Sequence, residues 1–186
     1  MNKIRRQTKT EKEAMKKLLL IVFMLFAFGS QAQVINVSTT TYTVPQLVTD
    51  VLFGSGVGGS ACAGTITNIS WSTGSNFGGP NGIGYFTNTN PNFPLSSGVV
   101  LVSGSVANVP GPNNSLQGAG DWVGDNQLFN YIDGLGIDNT LTGYNDASIL
   151  EFDFVPLTNQ MSFDFLFASE EYGQYQCPFS DAFAFF

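Results

Sequence analysis

Two stretches near the end of the chain, "SILEFDFVP" (residues 148–156) and "MSFDFLFAS" (residues 161–169), decide how the sequence is read. In the first, Leu150, Phe152 and Phe154 share one face of an extended chain, and Glu151 and Asp153 share the other. In the second, Met161, Phe163, Phe165 and Phe167 oppose Ser162 and Asp164. Successive side chains of a strand point to opposite faces, so this alternation predicts two half-buried strands. Only residues 157–160 separate them, which predicts a hairpin. With both aromatic faces turned into a core, parity makes Asp153 and Asp164 neighbours on the outer face, with Glu151 close by. Phe183 and Phe185 repeat the alternation at the end of the sequence. A strand unfinished at the last residue leads us to expect the front part of a longer protein.

Upstream, the signals thin out. "TVPQLVTDVLFGSG" (43–56) reads as a helix: Thr43 and Gln46 have capping-box spacing, Pro45 suits the first turn, Leu47, Val48, Val51 and Leu52 form an apolar face, and Gly54 supplies the stop. "GTITNISWSTG" (64–74) and "SGVVLVSGSV" (97–106) read as strands, separated by a Gly- and Asn-rich loop, "GSNFGGPNGIG" (74–84). Residues 117–145 read as a loop with one helical turn at "NQLFNYI" (126–132). No internal repeat and no linker divides the chain. The expected fold is mainly β, an antiparallel β-sandwich of jelly-roll or lectin-like type, with one short N-terminal helix packed at an edge or end.

At the front, Met15 is followed by Lys16, Lys17, the apolar run "LLLIVFMLFAF" and "GSQAQ". A basic segment, about a dozen apolar residues and small residues at Ser30 and Ala32 predict a secretory signal peptide cleaved after Ala32, too short for a membrane span of about 20 residues. Residues 1–32 are thus N-terminal extension and signal peptide, with translation starting at Met1 or Met15, and 33–186 form the domain. All seven basic residues lie within 1–32. Of the fourteen acids only Glu11 and Glu13 lie there, so the exported part keeps twelve carboxylates with no Lys, Arg or His, a formal net charge of −12.

That balance excludes whole classes of chemistry. Nucleic acid and anionic lipid need basic surface. Ser-His-Asp triads, Cys-His pairs, histidine metal sites and lysine phosphate cradles have no residues to build them. What survives is carboxylate chemistry: hard-cation binding or paired acid/base work. We assign no catalytic residue. A carbohydrate-active enzyme would use Glu151 or Glu170 with a loop aspartate. Glu170 and Glu171, adjacent in an extended stretch, point to opposite faces and do not pair with each other. The acidic groups are read first as a solvated face that holds no cofactor; the sharper reading is calcium, held first by Asp121 and Asp125 in a loop that can wrap an ion, and second by the Asp153 and Asp164 patch. Asp133, Asp138 and Asp146 lie in or beside the same loop region. Cys62 and Cys177 are expected to form a disulfide in an oxidising compartment, the alternatives being two buried thiols or bonding elsewhere.

Four ordered blocks, "TVPQLVTDVLFGSGV", "SSGVVLVSGSVANVPGPNNS", "DASILEFDFVP" and "FDFLFASEEYGQYQCPFSDAFAFF", resemble the choice-of-anchor L domain family of exported bacterial proteins, and span nearly all of residues 39–186. The resemblance implies display through a C-terminal sorting or anchoring signal, commonly of type IX secretion in Bacteroidota-type bacteria, and so contact with secretion machinery. It implies no reaction. Where the family often reads Gly-Asp-x-Asp-Leu, this chain has Gly124, Asp125, Asn126, Gln127 and Leu128, so a second acid is replaced by Gln127. The function expected is a secreted or cell-surface non-enzymatic module for adhesion, matrix or glycan contact, with an extracellular glycan or protein surface as partner. The alternatives are the carboxylate-pair enzyme and a structural spacer.

Overall fold

The computed structural model describes residues 12–18, 35–54, 63–73, 81–111, 122–137, 140–169 and 180–186. They belong to two units, Met1–Gln33 and Val34–Phe186. The first contributes an exposed helix, α1, over 12–18. The apolar run of the expected signal peptide and its cleavage site lie outside the described residues. Among the described residues, no helix is long and apolar enough to cross a membrane.

In the second unit the helix begins as its residues dictate. Thr43 caps it: its hydroxyl accepts from Gln46 N (3.4 Å), and Gln46 Oε1 accepts from Thr43 N (2.9 Å), the reciprocal capping box. The α-helical turn α2 (Val44–Gln46) then widens into a π-helical stretch over Leu47–Leu52. Phe53 N bonds back five residues to Val48 O at 3.1 Å, and Gly54, at φ 65°, ends the helix in the left-handed region. The wider winding changes which residues are buried. Leu47 and Val48 are fully buried, Phe53 is 4% exposed, and Leu52, expected on the apolar face, is 43% exposed.

Around this helix stand two antiparallel sheets. Strands β1 (Ile35–Ser38), β3 (Ile83–Asn88) and β4 (Ser97–Leu101) form one, in the order β1-β3-β4; β2 (Ala63–Ser72) and β5 (Ile149–Pro156) form the other. The chain is mainly β, as its alternating segments predict. The helix packs against residues of both sheets. Val44 and Leu47 pack with Ile83 against Tyr85, Val99 and Trp71, while Val48 and Phe53 pack against Ile66, Ile69, Phe152 and Phe154. Residues 44–53 therefore supply all the buried residues of these clusters except Ile83 of β3, and touch both sheets. Burying a side chain of this size stabilises the fold by roughly 1.5–3 kcal/mol.

The parity read for 148–156 holds: Leu150, Phe152 and Phe154 are half-buried, and Glu151 and Asp153 are exposed. Its partner is different from the expected hairpin strand. β5 pairs with β2, with Trp71 opposite Leu150, Ser70 opposite Glu151, and Thr67 opposite Asp153. Ile66, Ile69 and Trp71 all reach the core despite broken alternation, because the register slips between Thr67 and Ser70 where Asn68 takes a positive φ of 53°.

Residues 161–169 and 181–186 carry no strand. Phe163, Phe165 and Phe167 are 48%, 62% and 51% exposed, and Phe183 and Phe185 are 41% and 63% exposed, which corrects the expectation that these faces enter the core. β5 pairs with β2 rather than with 161–169, and the rings of Phe163, Phe165, Phe183 and Phe185 pack on one another outside the two core clusters. β3 corrects the loop reading of 74–84 at its end: Ile83, flanked by glycines, is fully buried and starts a strand.

The winding of the helix is testable by denaturant unfolding. Leu47→Ala should cost about 2–5 kcal/mol and Phe53→Ala about 3–5 kcal/mol, whereas Leu52→Ala should cost about 1 kcal/mol or less. A larger loss at Leu52 than at Phe53 would restore the α-helical face.

Candidate functional site

Two short segments, 122–125 and 144–147, are clamped together. Val123 and Asn145 form an isolated antiparallel bridge; Asp146 N donates to Trp122 O (3.0 Å), and Trp122 N donates to Asp146 Oδ1 (2.9 Å). The Trp122 indole N–H donates to Ala147 O at 2.9 Å. Asp146, 4% exposed and at φ 56°, is thus a structural residue: its carboxylate accepts from the facing strand, and its left-handed backbone turns the chain toward β5. Gly124 lets the two segments close. A Cβ there would lie 1.9 Å from the carbonyl oxygen of Tyr144, a contact that neither backbone can relieve without moving apart.

The clamp delivers the chain to α3 (Asn126–Gly134). Asp125 is the N-cap: its Oδ1 accepts from Leu128 N at 2.6 Å, satisfying an orphan donor of the first turn. The helix is nine residues long, more than the single turn expected at 126–132. Its Phe129 meets Tyr144 edge to face, ring centroids 6.5 Å apart.

Between the helix start and residues 142–145 lies a cleft of about 420 Å³, lined by Asp125, Asn126, Phe129, Thr142, Tyr144 and Asn145 together with Val123, Gly124 and Gly143. Phe129, Tyr144 and Asp125 are half-buried, while Asn126, Thr142 and Asn145 are exposed. Two aromatic rings make an apolar wall, and amide, hydroxyl and carboxylate oxygens edge it. Such a surface can stack against a flat apolar face and hydrogen-bond groups at its rim.

The residues proposed from sequence fall apart in space. Asp125 lines the cleft; Asp121 lies outside the described residues, as do Glu170, Glu171, Cys62 and Cys177. Asp153 and Glu151 stand on the outer face of β5 and accept from β2: Asn68 Nδ2 donates to Asp153 Oδ2 (2.6 Å) and Ser70 Oγ donates to Glu151 Oε2 (3.0 Å). Asp164 instead borders Pro94 and Leu95. The expected face shared by Asp153 and Asp164 is not formed, since 161–169 is no strand. Among the described residues, no three His, Cys, Asp or Glu side chains gather in one place. Sequence reasoning missed Phe129, Tyr144 and Asn145. The signal for them was present: aromatic residues within a Gly- and Asn-rich region, where a rigid scaffold commonly carries binding groups.

Comparison with protein families matches the choice-of-anchor L domain over residues 36–186. No curated protein and no solved structure matches the chain.

Removing the cap and prying the clamp should separate two effects on thermal and denaturant stability. Asp125→Ala should cost about 1 kcal/mol while Asp125→Asn, which still caps, should cost only a few tenths. Gly124→Ala should cost at least about 1–3 kcal/mol through backbone displacement. Equal stability of Gly124→Ala and the parent would show that the clamp is not as close as described.

Proposed function

The chain belongs to the choice-of-anchor L domain family, and on that premise we propose that residues 33–186 are an exported, surface-associated, non-enzymatic module whose cleft contacts an extracellular glycan. Domains of this family are typical of exported or surface proteins. The observation that carries the glycan reading is the cleft lining: Phe129 and Tyr144 beside Asp125, Asn126, Thr142 and Asn145, in a unit with no cationic side chain. Sugar rings present an apolar face to aromatic rings and hydroxyls to amides and carboxylates. Uronate- or sulfate-rich polymers would meet twelve carboxylates and no Lys or Arg, so the ligand is neutral.

The enzyme alternative needs two carboxyl groups about 5–9.5 Å apart across a scissile bond. The described lining of the cleft holds one carboxylate, Asp125, and one of its oxygens is engaged in capping. Binding is favoured for that reason.

The test is a panel of neutral and acidic oligosaccharides with the intact exported chain. Neutral glycans should bind, Tyr144→Ala and Phe129→Ala should each weaken binding at least about tenfold, and reducing ends should not accumulate. Failure of every neutral glycan, binding indifferent to both substitutions, or released sugar would overturn the proposal.

Calcium belongs to the same reading as an ion held by Asp125 with Asp121 and neighbouring loop oxygens, in the affinity range of extracellular modules, on the order of 10⁻⁴ to 10⁻³ M. Millimolar calcium should then raise the unfolding temperature more than magnesium, or sodium chloride at matched ionic strength. Asp125→Asn keeps the cap and should lose the calcium response. An equal rise with all three salts would mean screening alone.

A further inference from the structure

A group of apolar residues near the end of the described sequence is exposed to solvent. Met161, Phe163, Phe165, Phe167, Phe183 and Phe185 are 41–63% exposed, although the rings of Phe163, Phe165, Phe183 and Phe185 gather, with Phe163–Phe185 and Phe183–Phe185 centroids each 4.7 Å apart. No described strand pairs with residues 161–167. At the border of this surface is a groove of about 450 Å³, in which Phe163, Asp164, Phe165 and Leu166 face Pro94 and Leu95 from the connection between β3 and β4. Asp164 is the single charge among the described lining residues, and in sequence it stands between two phenylalanines.

We infer that this groove seats a lysine or arginine side chain from an extended segment of a partner protein. The chemistry of the lining selects that occupant. A basic side chain carries an apolar stem, which fits Pro94, Leu95 and Leu166, and a cationic head, which meets both the Asp164 carboxylate and the faces of Phe163 and Phe165. Residues 33–186 contain no Lys, Arg or His, so none of them supplies the cation. A neutral apolar partner would desolvate Asp164 without pairing it. A second copy of this unit brings twelve more carboxylates and no cation, so like charge opposes it. The field of the whole unit steers cationic segments toward it, and the unpaired stretch 161–167 offers an extended backbone beside the groove for a partner strand.

The experiment uses the exported chain and three capped hexapeptides that alternate valine with lysine, with norleucine or with glutamate, in titration calorimetry. The lysine peptide should bind and the other two should not. Asp164→Asn and Phe165→Ser should each weaken the lysine peptide at least about tenfold, while Glu151→Gln, an exposed carboxylate on the outer face of β5, should leave it unchanged. Asp164 and Phe165 are exposed, so these variants keep the fold. An equal loss with Glu151→Gln would reduce the effect to diffuse attraction. Norleucine binding as tightly as lysine, no binding of the lysine peptide, or a dimer of the parent chain that Phe165→Ser dissolves would each overturn the inference.

Discussion

The wedge of residues 44–53 between two sheets is the contact on which the rest of the second unit depends. Leu47 and Val48 are neighbours in sequence, yet one packs with Ile83 under the three-stranded sheet and the other with Phe53 under the two-stranded sheet. Consecutive helical residues diverge by about 100°, so a single turn can serve two faces if apolar residues are adjacent. The π-helical winding extends this by bringing Phe53 back under Val48, where its ring meets Phe152 at 5.4 Å and Phe154 at 5.2 Å. Leu150 packs against both clusters and ties β5 to the same centre.

A second constraint is the lack of cations. Among the described residues, carboxylates are held by neutral donors: Asp153 by Asn68, Glu151 by Ser70, Asp50 by Thr49 Oγ1 at 2.7 Å, Asp146 by the Trp122 N–H, and Asp125 by the Leu128 N–H. Asn68 shows how fold and charge are solved together. Its positive φ is the irregularity that returns Ile69 and Trp71 to the core, and its amide covers Asp153 on the other face. Neutral donors hold these carboxylates in place without cancelling their charge, so the unit keeps a strong negative field. That field, more than any one residue, limits what can approach its surface.

The cleft and the aromatic surface divide the outer chemistry of the unit. The cleft is assembled by a backbone clamp and a capped helix, so its groups are held on rigid elements. The stretch 161–167 is held instead by ring contacts within its own cluster and by the neighbourhood of Pro94 and Leu95. The linings of the two differ in the balance of oxygen atoms and ring faces, and the proposals of a neutral ligand for the first and a cationic segment for the second rest on that difference.

Much was legible from residues alone. Charge balance, the Thr43–Gln46 cap, the inward parity of Leu150, Phe152 and Phe154, and a helical segment after Asp125 all follow from local chemistry that acts within a few residues. Partnership does not. Alternation says which way a side chain points but not which strand lies beside it, and β5 takes as partner β2, about eighty residues away. Nor does it say that Phe163 and Phe165 stay outside the two core clusters, or that the helix packs against residues of both sheets. The strand Ile83–Asn88 has a glycine-flanked start that gave no local sign of burial. The cleft was hidden for a related reason: Asp125, Phe129 and Tyr144 converge only when Gly124 allows two backbones to touch, a distance that no spacing along the chain encodes.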